Sequence, residues 1–222
     1  MGTAGAGFVM SRPRVLLADD HRMVAEGVKR SLEEEFELVA VVEDGRQLVE
    51  TARRLRPDVI VADITMPHLN GIDALVQLKR DNPEVRVVFL TMHKDAAYAR
   101  RALEAGAHGY VLKHSAQAEL FLAVHAALDG KTFISPTLAG EVFHDMKVSP
   151  THPNDPVAAL TPRQREILQL FAEGCSTKDI ASQLDISPRT VEYHKYQMMD
   201  SLKLQGSAEL IHFALKNGIV AI

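Results

Sequence analysis

Asp19 and Asp20 close one short aliphatic run, VLLAD from Val15, and Asp63 closes another, VIVAD from Val59. Thr91 ends a third run, VVFLT from Val87, and Lys113 a fourth, YVLK from Tyr110. If these runs are strands of one parallel sheet, all five side chains stand at its carboxyl edge, where open α/β sheets bind ligands. Carboxylates held close together repel, so either their pKa values rise or a cation sits among them. A hard divalent ion with oxygen ligands is the economical partner, and Mg2+ fits best. A carboxylate surrounded by such an ion, a lysine and a hydroxyl is a phosphoryl acceptor, because those groups neutralise the phosphoryl oxygens.

The elements that must position these residues follow from periodicity. A fifth apolar run, LVAVV from Leu38, joins the four above, and amphipathic stretches of helical period lie at 22–34, 45–55, 71–80, 95–105 and 116–128. Strands that are apolar throughout and alternate with helices imply a parallel sheet covered on both faces, since a parallel strand needs a crossover to return. The reading is a doubly wound, five-stranded α/β domain over 12–128. Residues 129–157, with Pro136, Pro150, Pro153 and Pro156, read as a linker, with a short helix at 137–146 where Leu138, Val142 and Met146 are spaced by four.

From 158 to 222 the pattern becomes all-α, with four short helices and explicit start signals. Thr161-Pro162-Arg163-Gln164 is a capping box with proline at N1, Ser176 with Asp179 is a second box, and Ser187-Pro188 opens a third helix. Gly174 supplies a left-handed C-cap, Asp185 tolerates a left-handed turn, and a fourth helix from Ser207 ends at Asn217-Gly218. Helices joined by turns this short form a helix-turn-helix unit.

Composition narrows the function classes. The 222 residues carry 25 Lys plus Arg against 29 Asp plus Glu, a net charge of −4 that gives no global attraction to nucleic acid or anionic membrane, so DNA binding must come from a local patch. Cys175, the single cysteine, excludes an internal disulfide and reads as a structural residue in a turn; no apolar run approaches a membrane span. A reducing cytoplasm is the expected compartment. Residues 1–11 lack a signal-peptide pattern and read as a disordered tail, with Met10 a second candidate initiator. His21, His93 and His114 cluster near the catalytic edge at spacings that fit no metal set, so they read as solvated loop histidines.

LLADDH, DITMP, LTM and GYVLKH, over 14–128, resemble the receiver domain of bacterial two-component response regulators, and residues 160–203 closely resemble the LuxR-type helix-turn-helix. Together they resemble a response regulator of the NarL/FixJ type over nearly the whole chain. The resemblance implies strand order 2-1-3-4-5 and phosphorylation of Asp63 by a sensor histidine kinase. It also implies Mg2+ held by Asp20, Asp63 and the backbone carbonyl of Thr65, with Asp19 acting through water, and makes Thr91 and Tyr110 a switch pair and Lys113 the phosphate-binding lysine. Phosphorylation would draw Thr91 and Tyr110 inward and free the second domain to dimerise on double-stranded DNA.

The resemblance places the third helix of the second domain, 187–202, in the DNA major groove. On a helical wheel Val191, Met198 and Leu202 face the core and leave Arg189, Glu192, Tyr193, Tyr196 and Gln197 outside, while Lys178, Arg189, Thr190 and Lys195 reach phosphates. Residues 155–222 hold seven Lys plus Arg and eight Asp plus Glu, a weak electrostatic footprint, so a homodimer is expected on DNA. Leu210, Ile211, Ala214 and Leu215 form an apolar stripe that reads either as its dimer face or, the commoner case for such a stripe, as core. Two other functions compete. A receiver-containing adaptor would use its second domain to bind protein. An aspartyl-nucleophile phosphohydrolase of the haloacid dehalogenase type would need an aspartate two residues after the nucleophile, where this chain has Thr65.

Overall fold

The computed structural model describes residues 12–115, 117–148, 156–157 and 159–220. The tail 1–11 and the linker stretch 149–155 fall outside them. The first domain alternates β1 (Arg14–Ala18), α1 (Arg22–Glu35), β2 (Glu37–Val42), α2 (Gly45–Leu55), β3 (Val59–Ala62), α3 (Gly71–Asp81), β4 (Val87–Thr91), α4 (Ala96–Glu104), β5 (Gly109–Leu112) and α5 (Gln117–Leu128). Each strand is parallel to its neighbours, and the order is β2-β1-β3-β4-β5, as expected, with one further strand, β6 (Phe133–Ile134), on the β5 edge.

The sixth strand, β6 (Phe133–Ile134), corrects the expected five. Two residues are too short to carry a period, yet they pair with Gly109 and Tyr110. The helix expected in the linker is present as α6 (Pro136–Val148), and Leu138 and Val142 bury into the core of the first domain.

Strand alternation sorts the core into two layers. Leu16, Ala18, Ile60, Ala62 and Phe89 face α2, α3, α4 and α6, whereas Val15, Leu17, Val59, Val61 and Val88 face α1 and α5. Strands buried on both sides cannot slip by one residue without exchanging every side chain between layers, so the register that aligns the strand ends is strongly specified.

The second domain packs α7 (Pro162–Ala172), α8 (Thr177–Gln183), α9 (Pro188–Leu202) and α10 (Ser207–Lys216) around Ile167, Leu170, Ile180, Val191, Met198, Leu210 and Ala214. Both capping boxes form, Ser187 accepts from the Thr190 amide, and Gly174 and Asp185 adopt positive φ. Leu210 and Ala214 are therefore core residues, the second of the two readings of the stripe. Only Ile211 and Leu215 of that stripe remain partly exposed.

Candidate functional site

The parallel register brings the ends of β1, β3, β4 and β5 to one edge, as the sequence pattern requires. The Lys113 Nζ lies 2.6 Å from Asp63 Oδ2 and 2.8 Å from Asp19 Oδ2, and all three side chains are almost fully buried. Asp63 Oδ1 accepts from the Ile64 amide at 2.6 Å. Burial pushes the Asp63 carboxyl above its ordinary value; Lys113 pulls it back and Asp19 adds to the rise. Burial alone would lower Lys113, but Asp63 and Asp19 outweigh it and hold the ammonium above its usual range. The lysine is thus charged and committed to two carboxylates.

Asp20 completes the pocket. Its Oδ1 is buried without a hydrogen-bond partner, an arrangement that costs free energy unless a cation takes the lone pair. Asp19, Asp20, His21 and Asp63 each direct a donor atom into this space, all within 4.8 Å of one another. The donor set suits a divalent ion. His21 and His114 are both exposed as expected, but the His21 ring joins this cluster, which its spacing in the sequence did not suggest.

Thr91 and Tyr110, the expected switch pair, lie together around His93. Tyr110 is inward and fully buried, its hydroxyl donating to the His93 carbonyl at 3.0 Å. Burial holds its phenol protonated, with the pKa pushed up. Thr91 is also fully buried, and its hydroxyl accepts from the His93 amide at 3.3 Å. His93 is packed, not solvated: its Nε2 lies 2.7 Å from Thr65 Oγ1 and its ring stacks on Tyr98 at 4.3 Å and 4°. Burial lowers the His93 pKa, which favours the neutral ring.

The second domain sits directly on this edge. Gln169, on α7 and wholly buried, donates to the Met66 carbonyl and accepts from the Asn70 amide, both at 2.8 Å. The loop from Asp63 to Asn70 is thereby clamped between its own domain and α7. At its end, Gly71 packs so closely that a Cβ would lie 2.2 Å from the Asp63 carbonyl oxygen. Arg165 pairs with Asp73 at 2.7 Å, Glu173 accepts from the His68 amide, and Arg46 donates to the Gln183 carbonyl. On α4, Arg101 caps the Tyr98 ring and donates to the Asn217 carbonyl. The Tyr98 hydroxyl fills the space where a Cβ on Gly218 would stand. Gln169 was invisible to sequence reasoning. Its one signal is a polar residue interrupting the apolar run from Ile167 to Leu170.

On α9, Arg189, Tyr193, Tyr196 and Gln197 are exposed, as is Lys178 on α8. Thr190 and Lys195 are half-buried, and Lys195 lies over the Phe171 ring. Glu192 is engaged locally, accepting from the Thr177 hydroxyl at 2.7 Å and lying 3.8 Å from Lys195 Nζ. Docking therefore leaves the outer face of α9 open.

A doubly wound parallel sheet with an acidic, lysine-bearing carboxyl edge, joined to a four-helix unit with a capped helix-turn-helix, defines a receiver coupled to a nucleic-acid-binding module. Residues 15–125 match the response regulator receiver domain, and residues 158–214 match the bacterial regulatory proteins of the luxR family. The chain is 35% identical over 217 residues to the oxygen regulatory protein NreC of Staphylococcus epidermidis, covering 93% of this chain and 99% of that protein. It is 30% identical over 207 residues to the response regulator UvrY of Escherichia coli, covering 92% and 94%. Among solved structures, Salmonella enterica RcsB bound to a promoter in the presence of phosphomimetic BeF3− superposes with a TM-score of 0.63 at 27% identity, covering 93% of this chain and 100% of that one. The chain belongs to the two-component response regulators of the NarL/FixJ type, a phosphorylation-switched receiver paired with a DNA-binding LuxR-type helix-turn-helix. Among the described residues, no helix is long and apolar enough to cross a membrane.

Proposed function

We propose that Asp63 accepts a phosphoryl group from a sensor histidine kinase in the cytoplasm and that the acyl phosphate controls how the helix-turn-helix engages promoter DNA as a homodimer. The observation that supports this most directly is the convergence of Asp19, Asp20, Asp63 and Lys113 in one buried pocket. An Asp63 carboxylate oxygen attacks phosphorus, the bond to the donor's leaving group breaks, and Lys113 passes from the carboxylate to a phosphoryl oxygen. Asp20, Asp63 and the Thr65 carbonyl, with Asp19 through water, would hold Mg2+, which would supply further neutralisation of phosphoryl charge. The buried Thr91 hydroxyl is the group drawn toward the new phosphoryl, which takes its lone pair away from the His93 amide.

The loop that carries the acceptor is the same loop that Gln169 clamps, so strain there is felt at the domain interface without any intermediary. Release of the clamp frees two helix-turn-helix units to pair. Arg189, Tyr193, Tyr196 and Gln197 then meet base edges in the major groove, and Lys178, Thr190 and Lys195 meet phosphates. Glu192 supports α9 through Thr177 and accepts from cytosine only if that bond opens.

Incubation with a small acyl phosphate and Mg2+, followed by intact-mass measurement, tests the acceptor. Wild type gains one acid-labile phosphoryl group and Asp63→Asn gains none, because an amide is a poor nucleophile. Labelling that persists in Asp63→Asn places the acceptor elsewhere.

A further inference from the structure

We propose that His21 is a nitrogen ligand of the carboxylate pocket, making it a mixed nitrogen–oxygen site that holds first-row transition ions more tightly than Mg2+. This rests on the reading of the pocket as a divalent-ion site. The His21 Nδ1 lies 2.9 Å from Asp20 Oδ1, 3.3 Å from Asp19 Oδ1 and 3.9 Å from Asp63 Oδ2. The shortest of these contacts has ion-pair length but lacks hydrogen-bond geometry, which leaves Asp20 Oδ1 without a hydrogen-bond partner. It has the length of an edge of a coordination polyhedron. Two donors bound at about 2.1 Å to one ion stand about 3.0 Å apart at a right angle and about 3.4 Å apart at the tetrahedral angle.

The rest of the residue leaves the ring free for this task. His21 is the N-cap of α1, yet its side chain makes no capping bond, and it is 58% exposed at the mouth of the pocket, where an ion enters. Its backbone amide is fixed by Asp19 Oδ1 at 2.9 Å, so the imidazole is carried by an anchored main chain. Lys113 takes the Oδ2 atoms of Asp19 and Asp63 from the opposite side. The cavity is thus bounded by a cation on one wall and by imidazole on the other.

Donor chemistry sets the consequence. Mg2+ prefers oxygen and gains little from imidazole, whereas affinity for nitrogen rises across the first transition row through Mn2+ and Co2+, with Zn2+ also favoured. His21 is then the residue that discriminates among divalent ions at the phosphoacceptor.

Metal-stripped full-length protein is titrated with Co2+, followed by visible absorption, and with Mg2+, followed by calorimetry; the Mn2+-loaded protein is examined by pulsed electron paramagnetic resonance for nitrogen-14 coupling. Wild type binds Co2+ more tightly than Mg2+ at the same site and shows the coupling. His21→Ala and His21→Gln weaken Co2+ by about tenfold or more, leave Mg2+ within about twofold, and lose the coupling. Equal loss for both ions, or no nitrogen coupling in wild type, overturns the proposal. Asp20→Ala separates it from the underlying reading. If that variant weakens both ions while the histidine variants weaken neither, only the role of His21 fails. If Asp20→Ala weakens neither ion, the pocket is not the divalent-ion site and both fail. Unchanged melting of the metal-free variants verifies that the fold is intact.

Discussion

Gln169→Ala separates the domain interface from the chemistry, because the residue lies on α7 and touches no group of the acceptor pocket. Its side chain makes two hydrogen bonds of 2.8 Å to the receiver main chain and a longer one of 3.2 Å from the Asn70 amide side chain. Each is worth about 1 kcal/mol net, and truncation also strands a buried N–H and a buried carbonyl, so the docked arrangement loses about 2–4 kcal/mol. That is a shift of roughly 30-fold to 1,000-fold in the docking equilibrium. Hydrogen exchange at the Asn70 amide reads the loss locally, and small-angle scattering reads it globally. Asn70 exchanges faster in Gln169→Ala, the radius of gyration increases, and the unphosphorylated variant binds DNA as the phosphorylated wild type does. An Asn70 amide that keeps its protection, with unchanged scattering, would refute the clamp.

Gly218→Ala attacks the same interface from α10, where a Cβ would collide with the Tyr98 hydroxyl at a backbone φ of +60°. It should undock the domains in the scattering assay. Adding Tyr98→Ala should restore docking if the collision is the cause. Because burial and Asp19 raise the Asp63 pKa in the folded chain, the ionised carboxylate destabilises the metal-free protein at pH values above that raised pKa, and the penalty vanishes as pH falls to the ordinary carboxylate range. Asp63→Asn should therefore raise the melting temperature at neutral pH and lose that advantage in acid; a gain that is flat with pH contradicts the sign. Glu192→Lys removes the bond to Thr177 and adds a cation on α9, so the slope of log affinity for random DNA against log salt should steepen by about one unit. An unchanged slope would place residue 192 away from phosphate.

The carboxylates and lysine of the acceptor pocket were legible because each stands at the end of an apolar run, and parallel register converts that single property into proximity. His21, one residue further on, carries no such signal. Helix limits in the second domain were legible for a similar reason, since Thr161, Ser176 and Ser187 name their own helix starts through capping chemistry. Contacts that depend on tertiary packing left no such trace. Phe133–Ile134 is too short to show a strand period and pairs only because β5 offers an open edge. The stripe on α10 cannot reveal from its own spacing that Leu210 and Ala214 face α7 rather than another copy. His93 reads as a solvated loop residue, but Tyr98, five positions on, supplies a ring for it to stack against within that loop. Tyr110 matches a switch residue by position, but position does not disclose its rotamer, which is the buried one bonded to the His93 carbonyl.

Coupling between Asp63 and DNA is the central claim, and one binding measurement addresses it. A DNA fragment selected from a random-sequence pool by phosphorylated protein is titrated with full-length wild type and with Asp63→Asn, each with and without acyl phosphate and Mg2+. The phosphodonor should tighten binding by wild type by about 5-fold to 150-fold, the span of a typical coupling free energy, and should leave Asp63→Asn unchanged. Equal affinity of wild type with and without the donor, while intact-mass measurement shows the phosphoryl group in place, would contradict the account.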